Sequence, residues 1–136
     1  MQDIEIDKSG NNIIQKIDYN SLAKQFVDFF YNTWSSDPSQ FVPSGLFTDY
    51  SRINLDGTIF ASINIIHKLI EMQQGDKLKF EITKMNCVDS GSRRIDIMVN
   101  GYIYKGAAKY SFSQYFLIAH IKDSWKFHNS ILNIFI

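Results

Sequence analysis

The period of the hydrophobic positions changes along the chain, and the changes mark out its elements. From Tyr19, the apolar residues Leu22, Ala23, Phe26, Val27, Phe30 and Trp34 recur at spacings of three and four. That spacing predicts an amphipathic helix, with Asp18 placed to accept from the unpaired N–H groups of its first turn. Ser35, Ser36, Asp37 and Pro38 end it, and Pro38 suits the first turn of a short second helix through Phe41, where its missing N–H costs nothing. After the break at Pro43-Ser44-Gly45, residues 50–54 and 58–61 read as short strands around Leu55-Asp56-Gly57, because Asp-Gly favours a tight turn. Ser62 is then expected to cap a third helix carrying Ile63, Ile66, Leu69, Ile70 and Gln73, with Gly75 just past its end. Beyond it the period falls to two. Residues 78–88, 95–104, 110–121 and 125–135 read as four long strands joined by turn-forming segments.

Helices first, then a small hairpin, a helix and a four-strand meander give an α+β domain whose helices cover one face of a curved, mainly antiparallel sheet. The other face, rich in Tyr, Ser, Gln and Leu, is expected to bind another sheet. Residues 1–16 mix charges with Ser9, Gly10, Asn11 and Asn12 and are expected to be a mobile tail, with the domain occupying 17–136.

Composition narrows the function. The 136 residues suit one domain. Fourteen basic residues balance fourteen acidic ones, and no basic run is longer than Arg93-Arg94, so no phosphate-neutralising patch for nucleic acid is expected. Arg93 and Arg94 read as part of a solvated hairpin turn. One cysteine, Cys87, is expected to be buried and inert, and excludes an internal disulfide or a cysteine-based zinc site. No apolar stretch reaches the roughly 20 residues of a membrane helix. The opening residues carry acids where a secretory signal is basic, so an intracellular location is expected.

Four segments are familiar in their order and spacing: FVDFFYNTW (26–34), LFTDYSRINLDGTIFASINIIHKL (46–69), FSQYFLI (112–118) and WKFHNSILNIF (125–135). Together they resemble the nuclear transport factor 2 family. The resemblance spans the chain from about residue 18 onward. It implies a cone-shaped domain that dimerises through its open sheet, as a homodimer or with another domain of the same fold. It also implies a non-enzymatic role at the nuclear pore, through phenylalanine-glycine nucleoporin repeats, with residence in nucleus, nuclear pore and cytoplasm and no cofactor. Branches of the family carry Ran-GDP into the nucleus or serve as mRNA export cofactors.

The departures choose between those branches. Where Ran carriers place acids before the F-x-Q-x-F motif, this chain has Lys105-Gly106-Ala107-Ala108-Lys109. Basic residues meeting the basic surface of the GTPase would repel it, so the export-cofactor reading leads over the homodimeric Ran-GDP carrier. The resemblance assigns partner contacts to Asp56, Tyr104, Lys105, Tyr115, Asn129, Ser130 and Asn133. Asn129, Ser130 and Asn133 lie where relatives have a charged closing motif. Asp56 is also a natural turn-former, and the tyrosines also suit any strand.

A third reading, a small-molecule isomerase or dehydratase like the family's enzymatic cousins, would use Asp49 as general base and Tyr50 as oxyanion donor near the cavity mouth. His67, His120 and His128 fall on separate elements and suggest no metal triad. Tyr115 is expected to point away from Phe112, Gln114 and Phe116, dividing core from interface along one strand.

Overall fold

The computed structural model describes residues 18–135. The expected tail, residues 1–16, lies outside them. α1 (Tyr19–Ser36) begins where Asp18 accepts from the Ser21 backbone N–H at 3.1 Å and from its hydroxyl at 2.8 Å. A 3-10 turn (Pro38–Gln40), capped by the Asp37 carboxylate, leads into α2 (Phe41–Ser44). β1 (Phe47–Leu55) and β2 (Thr58–Ala61) form the short hairpin, followed by α3 (Ile63–Met72). β3 (Leu78–Gly91), β4 (Arg94–Lys105), β5 (Ala108–Ile121) and β6 (Ser124–Phe135) form the meander. Ser62 precedes α3 at φ 52° with no hydrogen bond from its side chain, so the expected cap is absent and its backbone carbonyl accepts from Ile65 instead.

The described strands form one sheet in the order β2-β1-β6-β5-β4-β3. β1 lies parallel to β6, and the other neighbours are antiparallel. β1 begins earlier than its apolar pattern indicates because Ser51 mends an irregular stretch: its hydroxyl donates to the Phe127 carbonyl at 2.5 Å and accepts from the Thr48 N–H at 2.8 Å.

The core lies between the helices and one face of the sheet. Phe30, fully buried, has ring centroids of Phe116, Phe41, Tyr31, Phe127 and Trp34 at 5.0, 5.3, 5.3, 5.8 and 6.0 Å. The aromatic excess of the composition is therefore spent largely inside. A polar chain crosses this core with every step paired: the Tyr31 hydroxyl donates to Gln114 Oε1 (2.7 Å), Gln114 Nε2 donates to Ser130 Oγ (3.0 Å), and the Ser130 hydroxyl donates to the Tyr115 carbonyl (2.6 Å). Because an unpaired buried amide costs about 1–3 kcal/mol, this satisfied chain favours one packing over its alternatives. Burial pushes the Tyr31 hydroxyl well above its usual pKa and keeps it a donor.

Gln73 ties three elements together where the cone opens. Its amide nitrogen donates to the Trp34 and Ser35 carbonyls at 2.8 and 2.6 Å, and its oxygen accepts from the Leu78 N–H at 2.7 Å. The end of α1, the end of α3 and the start of β3 are thereby held together.

Candidate protein-binding site

Two surfaces emerge from this frame: a cavity at the open end of the cone and the uncovered face of the sheet. The cavity encloses about 300 Å³ and is lined by Met72, Leu78, Ile103, Tyr110 and Ile134, with Asp56 and Lys105 among them. Both charged residues are anchored by backbone. Asp56, at φ 47° in the β1–β2 turn, accepts from the Ile134 N–H at 3.0 Å, and Lys105 Nζ donates to the Met72 carbonyl at 3.3 Å. Asp76 brings a further carboxylate against Gly106, in the turn between β4 and β5. An apolar pocket of this size, with one fixed anion and one fixed cation, suits a bulky apolar side chain of a polar partner.

The uncovered face is set by alternation. On β4, Ile95, Ile97, Val99 and Ile103 are buried, while Asp96, Met98, Asn100, Tyr102 and Tyr104 face outward. On β5, Phe112, Gln114, Phe116 and Ile118 are buried, and Ser113, Tyr115 and Leu117 face outward, as expected from the sequence. Exposed Ile59, Val88, Met98, Ile131 and Phe135 are spread over this outer side. Polar contacts fix residues between them. The Tyr104 hydroxyl donates to Glu81 at 2.7 Å, a bond that raises its pKa, and Lys109 Nζ lies 4.2 Å from the Tyr102 ring centroid and 5.5 Å from that of Tyr104. The Tyr115 hydroxyl donates to Asp96, and partial burial, then this bond, pushes its pKa up to about 12.

The residues singled out in the sequence fall into three places. Asp56 and Lys105 meet at the cavity. Tyr104, Tyr115, Asn129 and Asn133 share the outer face, where Asn133 pairs with Ser113 and Asn129 with Leu117. Ser130 is displaced from the expected surface: it is fully buried and faces the core, bonded to Gln114. The cause is an irregularity in β6, where Leu117 pairs with Asn129 but Ile118 pairs with Phe127, leaving His128 as the extra residue. Such a bulge exchanges the two faces beyond it.

Asp49 and Tyr50 are not among the residues lining the cavity. They sit near the start of β1, the opposite end from Asp56, and Tyr50 is 75% exposed. His67 lies on the outside of α3, His120 packs against Trp125 with centroids 5.3 Å apart, and His128 occupies the bulge. No group of three metal-ligating side chains occurs among the described residues, and no described helix is long and apolar enough to cross a membrane. Cys87 is half-buried, not fully buried, with its thiol 3.1 Å from Asn20 Oδ1 and its pKa raised by burial and, less, by Asp18.

The family described as the Nuclear transport factor 2 (NTF2) domain matches residues 22–134. Nuclear transport factor 2 of Schizosaccharomyces pombe is 30% identical over 86 residues, covering 62% of this chain and 68% of that protein. The structure of nuclear transport factor 2 from Cryptosporidium parvum superposes with a TM-score of 0.73 at 23% identity, over 85% of this chain and 94% of that one. The yeast UBP3-associated protein BRE5 gives 0.72 at 16% identity, over 87% and 96%. With the matched span running from the first turn of α1 to the end of β6, and the cone-and-sheet architecture common to these structures, the chain belongs to the nuclear transport factor 2 family.

Proposed function

We propose that the protein is a non-enzymatic adaptor for nucleocytoplasmic transport, moving between cytoplasm and nucleus through the nuclear pore. In this reading the uncovered sheet face pairs with another domain of the same fold. Apolar crevices, of which the cavity between Met72, Leu78, Ile103, Tyr110 and Ile134 is one, receive the aromatic side chains of phenylalanine-glycine nucleoporin repeats. The observation that carries the reading is the outer face itself, where five large apolar residues stand exposed on a sheet whose other side packs against the helices. Its kinship with nuclear transport factor 2 of Schizosaccharomyces pombe supports a transport role. An array of weak aromatic contacts suits rapid passage, because each releases quickly while several together retain the carrier.

Within transport, the role is that of an mRNA export cofactor. Lys105 and Lys109 flank the β4–β5 turn, where the Ran carriers place acids, and disfavour a basic GTPase surface. The enzymatic reading loses support because Asp49 and Tyr50 stand outside the cavity, while the carboxylate that lines it, Asp56, accepts a backbone hydrogen bond. Affinity capture from native cells with identification of the bound chains tests the proposal. Recovery of an mRNA export receptor carrying its own domain of this fold is expected. Recovery of Ran-GDP and nucleoporins without such a receptor would overturn the export role.

A further inference from the structure

The cavity at the open end of the cone has apolar walls with two charges standing among them, and the two are held very differently. Asp56 is fixed by its backbone, at φ 47° in the β1–β2 turn, and by Oδ1, which accepts from the Ile134 N–H at 3.0 Å. Its other oxygen, Oδ2, accepts no hydrogen bond among the described residues. Lys105 is held lightly: its Nζ makes one long bond, 3.3 Å, to the Met72 carbonyl. Neither charge forms an ion pair among the described residues. The neighbouring charges turn elsewhere. Lys109, across the β4–β5 turn, places its Nζ 4.2 Å from the Tyr102 ring centroid on the outer face. The Asp76 carboxylate lies against the backbone of Gly106, where an added Cβ would stand 2.5 Å from Oδ2. The cavity thus presents an ammonium with two N–H groups to spare and a carboxylate oxygen still open to a donor.

An ammonium beside apolar walls keeps more of its attraction for an anion than one surrounded by water, because the walls lower the local dielectric. A phenylalanine ring fills such a pocket but leaves both charges unanswered. A chain that also carries a carboxylate close to the ring answers Lys105, and its main-chain N–H groups answer Asp56. In an extended chain, residues two positions apart share a face and stand about 7 Å apart, a distance that the four-carbon lysine stem covers. We infer that the cavity selects an aromatic residue with an aspartate or glutamate two positions away, its carboxylate bound by Lys105 and a main-chain N–H bound by Asp56 Oδ2. The charge of Asp56 does not cancel this preference. One of its oxygens is already bonded to Ile134 and the other takes a donor, so Asp56 orients the incoming chain with its amide on one side and its acid toward Lys105. This inference rests on the reading that the cavity receives aromatic side chains, and it adds which aromatic sequences it prefers.

Fluorescence anisotropy with the full chain and short labelled peptides tests the selection. Each peptide carries a single phenylalanine. The first has aspartate two positions to either side of it, the second has asparagine there, and the third has asparagine there with both aspartates moved to the far end. The first is expected to bind about tenfold more tightly than the other two, which should match each other. Because the first and third have equal net charge, their difference measures an acid placed at Lys105 and not general attraction. Lys105→Met keeps most of the stem that lines the cavity and is expected to bind all three alike, while Lys105→Glu is expected to favour the second. Lys105→Gln carries the test if Lys105→Met does not fold. Equal binding of the first and third peptides by the wild type, or a preference that survives Lys105→Met, would overturn the selection by Lys105 while leaving the cavity reading intact. Binding of none of the three, or undiminished binding when alanine replaces the phenylalanine, would overturn the cavity reading and this inference with it.

Discussion

The two faces of the same sheet are built by opposite rules. Toward the helices, Phe112, Gln114, Phe116 and Ile118 of β5 are buried, and the amide among them is bonded on both sides. Away from the helices, Ser113, Tyr115 and Leu117 of that strand stay partly open, and the charges among their neighbours are anchored without being neutralised. The closed face derives its stability from dense packing, where lost volume is costly. The open face, with Ile131 and Met98 exposed on it, contributes little to the isolated domain.

The sharpest way to break this contrast is at Phe30, the hub of the closed face. Phe30→Ala is expected to cost about 3–5 kcal/mol of unfolding free energy in urea titration, because the ring leaves a cavity that its six aromatic neighbours cannot close. Next comes Gly101, where β4 passes close beneath the bulged part of β3. A Cβ there would stand 2.1 Å from the Glu81 carbonyl oxygen, against rigid backbone. Gly101→Ala is expected to cost about 1–3 kcal/mol by overpacking and to loosen the β3–β4 pairing in hydrogen exchange. On the open face, Ile131→Lys is expected to change the domain's stability in urea titration by about 0.5 kcal/mol or less, while placing a charge at the centre of the face proposed to pair with a like domain and so abolishing capture of that partner. A domain that melts early with Ile131→Lys would erase the distinction between the faces.

The smallest effect is at high pH. The Tyr115 hydroxyl has its pKa raised from 10.0 to about 12 in the folded chain, so the folded state resists ionisation that the unfolded state accepts. The stability from this group is complete below about pH 10 and declines as pH rises toward about 12. Comparing thermal melts of the wild type and Tyr115→Phe across that range should show the wild type losing its advantage.

Much of this organisation is legible in the sequence because it rests on period. The spacing of Phe26, Phe30 and Trp34 marks the buried stripe of α1, and the alternation of Phe112, Gln114 and Phe116 divides β5 as observed. Bulges hide the rest. Counting by twos from buried Phe127 would send Asn129 inward and Ser130 outward, and the extra residue at His128 inverts both. Tertiary approach is equally silent in a linear string. The Asp56 turn, the end of α3 at Met72 and the start of β5 at Tyr110 converge on one cavity only after the sheet curves, and motif position alone had placed Asp49 and Tyr50 near its mouth.

The bulge at His128 also bears on how such a domain can change over time. Substitutions alter a surface one residue at a time, but losing or gaining a single codon in β6 would trade inward for outward positions on one side of the bulge. A lineage could thereby exchange the side chains that β6 turns outward in one mutational step, provided the core accepts the residues turned inward. The polar chain from Tyr31 through Gln114 to Ser130 opposes that step, because it holds the strand in its present frame. An interior hydrogen bond thus fixes which side chains the strand turns outward.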